Sequence, residues 1–193
     1  MGRPLAITEQ IKAAGIMLMI ARASFDIWWL YRGAPTRKRY LPGMNRYSEF
    51  FRFDEAANLR AAVISFVTLF DRRDDAITLA SLVAQAADAG HEVGEIKSRL
   101  AQLTSRMSKM KLLRHNLFAH RNREADHTDV YKKAEFRPDN FKAMLDEGLA
   151  ILNEIADRLS LPRTAYNRMV EEHTTNLLGD IQPNRAVKIR NTQ

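Results

Sequence analysis

An all-α fold, an antiparallel bundle of about five to six helices, is predicted by two features of the 193-residue sequence. Several long segments repeat apolar residues at three- and four-residue steps, which places them on one side of a helix. No stretch alternates apolar and polar residues in the manner of a half-buried strand. The prolines fall between the periodic segments and punctuate them.

The first helix is expected from about Thr8, a possible N-cap residue, to Tyr31, where Gly33 and Pro35 stop it. Residues 32–46 carry five basic side chains, no acid, and the breakers Pro35, Pro42 and Gly43, so they read as a linker, with a short helical turn at Ser48–Phe51. A second long helix runs from about Asp54 to Phe70, apolar at Ala56, Leu59, Val63, Phe66, Val67 and Phe70, and the charges of Asp71–Asp75 close it. A third, alanine- and leucine-rich, spans about Asp75 to Ala89 and ends at Gly90. The fourth extends from about Glu92 to Arg121 along Ile96, Leu100, Leu103, Met107, Met110 and Leu117. Pro138-Asp139 opens a fifth, apolar at Phe141, Met144, Leu145, Leu149, Leu152 and Ile155, which Pro162 stops. A shorter helix covers Arg163–Leu178. The whole reads as one domain, residues 1–179, followed by a loose basic tail, 180–193.

The absence of cysteine excludes disulfides and thiolate catalysis. The N-terminal segment is apolar, but Glu9, Lys12, Arg22 and Asp26 interrupt it, so no membrane span and a cytoplasmic location are expected. Charge is uneven: Lys97–Arg123 holds eight basic residues and no acid, and removing this +8 segment from a net +7 leaves −1. A localised basic stripe suits a polyanion, most often nucleic acid, although a solvated helix face paired with acids elsewhere would give the same count.

Within that stripe lies Lys111-Leu-Leu-Arg114-His115-Asn116-Leu-Phe-Ala-His120. Arg114 fills the gap in the apolar series between Met110 and Leu117, and a guanidinium on a buried stripe is costly without a partner. Either an anion inside the protein pairs with it, Asp71 being a candidate, or this part of the face lines a cleft. Arg114 and His120 lie about 120° apart on an ideal helix, whereas Asn116 and His120 share a face. An arginine, an amide and a histidine suit RNA cleavage without a metal: histidine can move the proton of a ribose 2′-hydroxyl, and arginine can grip the scissile phosphate. His120 and His127 with Asp126 and Asp129 fit no established metal-ligand spacing, and no cofactor is expected. Trp28-Trp29 and Tyr47, Phe50, Phe51 and Phe53 read as core or interface positions rather than base-stacking surfaces.

The spacing Arg114-His115-(Asn-Leu-Phe-Ala)-His120 resembles the signature of HEPN domains, and Phe118-Ala119-His120-Arg121-Asn122 resembles the alanine-histidine-arginine stretch of their abortive-infection (AbiU-type) branch. The resemblance covers roughly residues 5–160 and implies an HEPN-like helical bundle. It also implies a metal-independent endoribonuclease, a toxin or antiphage effector, in which two protomers of a homodimer join their motifs in one basic groove. Arg114 and His120 would then be catalytic, with His115 and Asn116 beside them. Lys109, Lys111, Arg121 and Arg123 would meet the RNA, and an antitoxin or neighbouring defence protein would be a further partner. Asn122 departs from those family toxins that carry a tyrosine two residues after the histidine. A non-catalytic helical module that binds RNA or protein, or an oligomerisation scaffold, is the competing reading.

Overall fold

The computed structural model of the chain describes residues 5–71, 73, 75–114, 132 and 134–183. Among them the regular elements are all helical: α1 (Ile7–Arg32), α2 (Ala34–Arg46), α3 (Ser48–Thr68), α4 (Leu79–Asp88), α5 (Gly94–Leu113), α6 (Pro138–Arg158) and α7 (Met169–Asp180). The fold of the described residues is thus all-α, as the periodicity predicts. The chain divides into two compact units. One comprises Met1–Arg22 with Val63–Ala165, the other Ala23–Ala62 with Tyr166–Gln193, so α1 and α3 each supply residues to both.

The first unit is built on α4, α5 and α6, each packed against the other two. The faces that meet are those the periodicity predicts. α5 buries Ile96, Leu100, Leu103, Met107, Met110 and Leu113; α6 buries Phe141, Met144, Leu145, Ile151, Leu152 and Ile155. Burying each such side chain contributes roughly 1.5–3 kcal/mol before entropy is charged against it. Leu149, expected on this face, lies beside it, and Gly148 takes the buried place. A Cβ at residue 148 would lie 2.8 Å from Phe66 Cε2 and 3.3 Å from Leu18, so only glycine lets α6 come this close. Phe66 also meets Phe70 and Phe141 edge-on, with ring centroids 5.2 and 5.8 Å apart.

Helix ends follow local chemistry. α4 begins at a reciprocal cap in which the Ser81 backbone N–H donates to Thr78 Oγ1 and the Thr78 N–H donates to Ser81 Oγ. It therefore starts at Leu79, later than the Asp75 read from composition. It stops at Gly90, whose φ of +86° ends the helix while the His91 N–H bonds the Ala86 carbonyl.

In the second unit the expected linker proves to be a helix. Pro35 sits in the first turn of α2, where a missing N–H costs nothing, and Pro42 lies inside it. Packing overrides these breakers. Tyr40 and Met44 join Tyr31, Phe51 and Leu178 in one buried cluster, and the Gly43 N–H donates to Gln182 Oε1 at 3.2 Å. The helical turn expected at Ser48 and the helix expected from Asp54 are one element, α3. Tyr31 donates to Asp54 at 2.8 Å; burial, then this bond, pushes its hydroxyl above the ordinary phenol range. Tyr166 donates to the buried Asp26 at 2.8 Å.

α1 is long and apolar enough by length and composition to cross a membrane, and 56% of its most apolar 18-residue window is buried inside the protein.

Candidate functional site

The end of α5 carries the candidate site up to Arg114. His115, Asn116, His120, Arg121 and Arg123 lie outside the described residues, as do His127 and the end of the expected tail, 184–193. The apolar stripe of α5 continues from Met110 to Leu113, which is fully buried, and so closes over the position the sequence assigned to Arg114. Arg114 stands one residue further round, still helical in backbone (φ −55°, ψ −50°), with its N–H on the carbonyls of Met110 and Lys111. Its side chain is 35% exposed and its Nη1 donates to Asp71 Oδ2 at 3.4 Å. Of the two arrangements left open by the sequence, an anionic partner within the protein is the one found.

Asp71 lies three residues past the end of α3, after the turn Leu69-Phe70, and the contact beside it is of the same kind. Lys111 Nζ donates to the Phe70 carbonyl at 2.9 Å. The turn after a helix leaves carbonyls unpaired, and an ammonium there satisfies one of them close to the negative end of the helix. Lys111 and Arg114, one turn apart on α5, therefore grip consecutive residues after α3. This fastening fixes where the chain leaves α5 and enters the motif.

Three other cations of α5 are also engaged. Arg99 donates to Glu147 at 2.8 Å and to Glu154 at 2.7 Å, a three-residue network between α5 and α6. Lys109 Nζ reaches Glu135 at 2.5 Å, and its hydrogen bond and charge hold that carboxyl below the usual glutamate range. Arg106 donates to the Asn140 carbonyl at 3.4 Å. None of these partners was legible beforehand: Glu135, Glu147 and Glu154 lie 26 to 55 residues along the chain from their cations. Asp71 alone was named, because it follows an apolar helix in the sequence.

Among the described residues no group of three histidine, aspartate or glutamate side chains converges as a metal site would. Chemically, the described part of the site offers one guanidinium, half-buried and oriented by a carboxylate. Such a group can present its remaining N–H donors to a phosphate.

Comparison with known proteins bears on the whole of this helical frame. No curated protein and no solved structure gives a significant match. A family model, HEPN_AbiU2 (AbiU2), matches residues 5–177, nearly the full chain and both units of the fold. With its all-helical architecture and the Arg114–His120 spacing inside the matched region, the chain belongs to the HEPN family, in its AbiU2 branch.

Proposed function

We infer that this HEPN protein is an abortive-infection effector that cuts RNA without a metal ion, through Arg114 and His120, as a homodimer. The observation that carries the reading is the placement of Arg114. It caps a basic helix, is half-buried and held by Asp71, and opens the Arg114–His120 spacing within the matched family region.

In the reaction, the ribose 2′-oxygen attacks the adjacent phosphorus while its proton passes to His120. The phosphorus–O5′ bond breaks, O5′ takes up a proton from water, and the products carry a 2′,3′-cyclic phosphate and a 5′-hydroxyl. Arg114 holds the non-bridging oxygens as charge builds on them. His115 and Asn116 shape the site, and Arg121, Arg123 and Lys109 draw in the backbone, Lys109 by leaving its exposed pair with Glu135. Lys111 contributes by fastening α5 to the end of α3. A dimer would place two such motifs across one groove, in a cytoplasmic protein that an antitoxin or neighbouring defence protein could restrain.

The engagement of Arg114 by Asp71 favours a second reading, a non-catalytic RNA- or protein-binding module in which the arginine is an internal tie. Mapping product ends tests the first. Cyclic phosphate and 5′-hydroxyl termini, absent from reactions with Arg114→Ala protein, are expected; 5′-phosphate termini would overturn it, since they arise when water and not the 2′-hydroxyl attacks.

A further inference from the structure

The second unit carries a surface that the cleavage reading does not use. Of the aromatic residues around the start of α3, only Phe51 enters the core; Tyr47, Phe50 and Phe53 are 49%, 58% and 76% exposed. They follow one another at three-residue steps, and the Phe51 N–H bonds the Tyr47 carbonyl, so Tyr47 stands at the head of the helix that carries the other two. Residues so spaced lie about 60° apart with a rise of about 4.5 Å per step, which makes a shallow spiral of rings along one side. The row is braced from within. Phe50 meets Phe51 edge-on at 5.2 Å, and Phe51 meets Tyr31 edge-on at 5.3 Å. Phe50 nevertheless keeps more than half of its surface in solvent.

The helix that precedes these rings is basic. α2 contributes Arg37, Lys38, Arg39 and Arg46 and no acid. Among the described residues none of the four is ion-paired with a carboxylate, unlike Arg99 and Lys109 of α5. Arg46 lies over the Tyr47 ring at 5.8 Å, and Arg39, seven residues earlier on the same side of α2, over Tyr40 at 5.3 Å. Exposed rings alone would suit another protein or a second copy of this chain. A second copy docked two-fold through this same face would bring the same unpaired cations together, which is repulsive.

We propose that Tyr47 and the α3 residues Phe50 and Phe53, with Arg39 and Arg46 of α2, form a binding surface for single-stranded RNA. Unpaired bases stack on the rings and the cations hold the phosphates between them. A ring accepts any base, so the surface binds without sequence preference. A duplex, whose bases are already stacked, gains only the electrostatic part. The choice of RNA over DNA rests on the ribonuclease reading above; the surface itself recognises unpaired bases and phosphate.

The test is fluorescence anisotropy with a labelled oligouridylate of about twelve nucleotides, within the length such surfaces cover. His120→Ala protein is used as the background, so that cutting does not confuse binding. Phe53→Ala is expected to weaken binding at least about five-fold and Phe53→Tyr to retain it, because stacking needs the ring. Arg39→Gln with Arg46→Gln is expected to weaken binding and flatten its salt dependence, and duplex RNA is expected to compete poorly. Unchanged affinity in both the Phe53→Ala and the double-arginine proteins, with thermal unfolding like the parent's, would overturn the proposal. So would a Phe53→Ala protein that binds RNA normally but changes its sedimentation, which would mark a contact between copies. The two readings fail separately: loss of binding in Phe53→Ala with no cleavage by the parent leaves this surface standing and removes the nuclease. Cleavage with no effect of Phe53 does the reverse.

Discussion

Two basic segments of this chain look alike in sequence and differ in their partners. In α5 and its cap, Arg99, Lys109, Lys111 and Arg114 are engaged by the protein, through Glu147 and Glu154, Glu135, the Phe70 carbonyl, and Asp71. α2 carries Arg37, Lys38, Arg39 and Arg46, none of them ion-paired with a carboxylate among the described residues, and it adjoins a row of exposed rings. A run of positive charge therefore means two different things. In α5 much of it ties helices together and sets Arg114; in α2 it remains available for an external anion. Sequence counting favoured α5 as the polyanion surface because its run is longer, and counting cannot see which cations have partners.

This contrast can be broken in several ways, the largest effect first. If Arg114 is more than a tie, Arg114→Ala should lower cleavage about 10²–10³-fold, the range for removing a donor to a developing anion. Unfolding temperature should move little, because the pair is partly exposed; a large drop in stability with no activity to lose would favour the scaffold reading.

If Asp71 orients Arg114, Asp71→Asn should lower kcat about ten-fold while KM changes little, since misplacing a catalytic group by a fraction of an ångström costs rate before binding. Equal effects on kcat and KM would make Asp71 a structural residue only.

The two segments should also separate by salt. Replacing Arg39 and Arg46 with glutamine should flatten the slope of log affinity against log salt by about 1.4, at about 0.7 per single-strand contact. Replacing Lys111 should leave that slope alone and instead cost about 1 kcal/mol of stability, the worth of its hydrogen bond to the end of α3, read by denaturant unfolding.

The smallest effect is acidic. Glu135 beside Lys109, and Asp157 hydrogen-bonded to Arg163, are held below the usual carboxylate range. A group whose folded pKa is depressed stabilises above its unfolded pKa and loses that contribution as pH falls through the folded one. The unfolding temperature should thus slip slightly below about pH 4, where ordinary carboxylates protonate, and neutralising both acids should remove the slip.

How far the sequence could be read depended on how local the cause was. The stripe of α5, the Pro138 start of α6 and the Gly90 stop of α4 rest on periodicity and backbone chemistry within a few residues, and the structure has them. α2 failed as a prediction because Pro35, Pro42 and Gly43 are poor helix residues locally. What holds them helical is the distant pairing of Tyr40 and Met44 with Leu178 and of Gly43 with Gln182. The candidate site divides in the same way. Arg114 and its partner Asp71 were legible as a charge beside an apolar face and an acid after a helix, although Leu113 and not Arg114 completes the buried stripe. The ties of Arg99 and Lys109 were not legible, because ion pairs across the fold leave no spacing rule behind.

The central claim is that the chain cleaves RNA with its own side chains, Arg114 and His120. The most direct measurement is RNA cleavage by the purified protein in excess EDTA, run beside His120→Ala protein. Cleavage that survives chelation and disappears in the variant is predicted. Equal cleavage by both proteins, or cleavage that chelation abolishes, would contradict it.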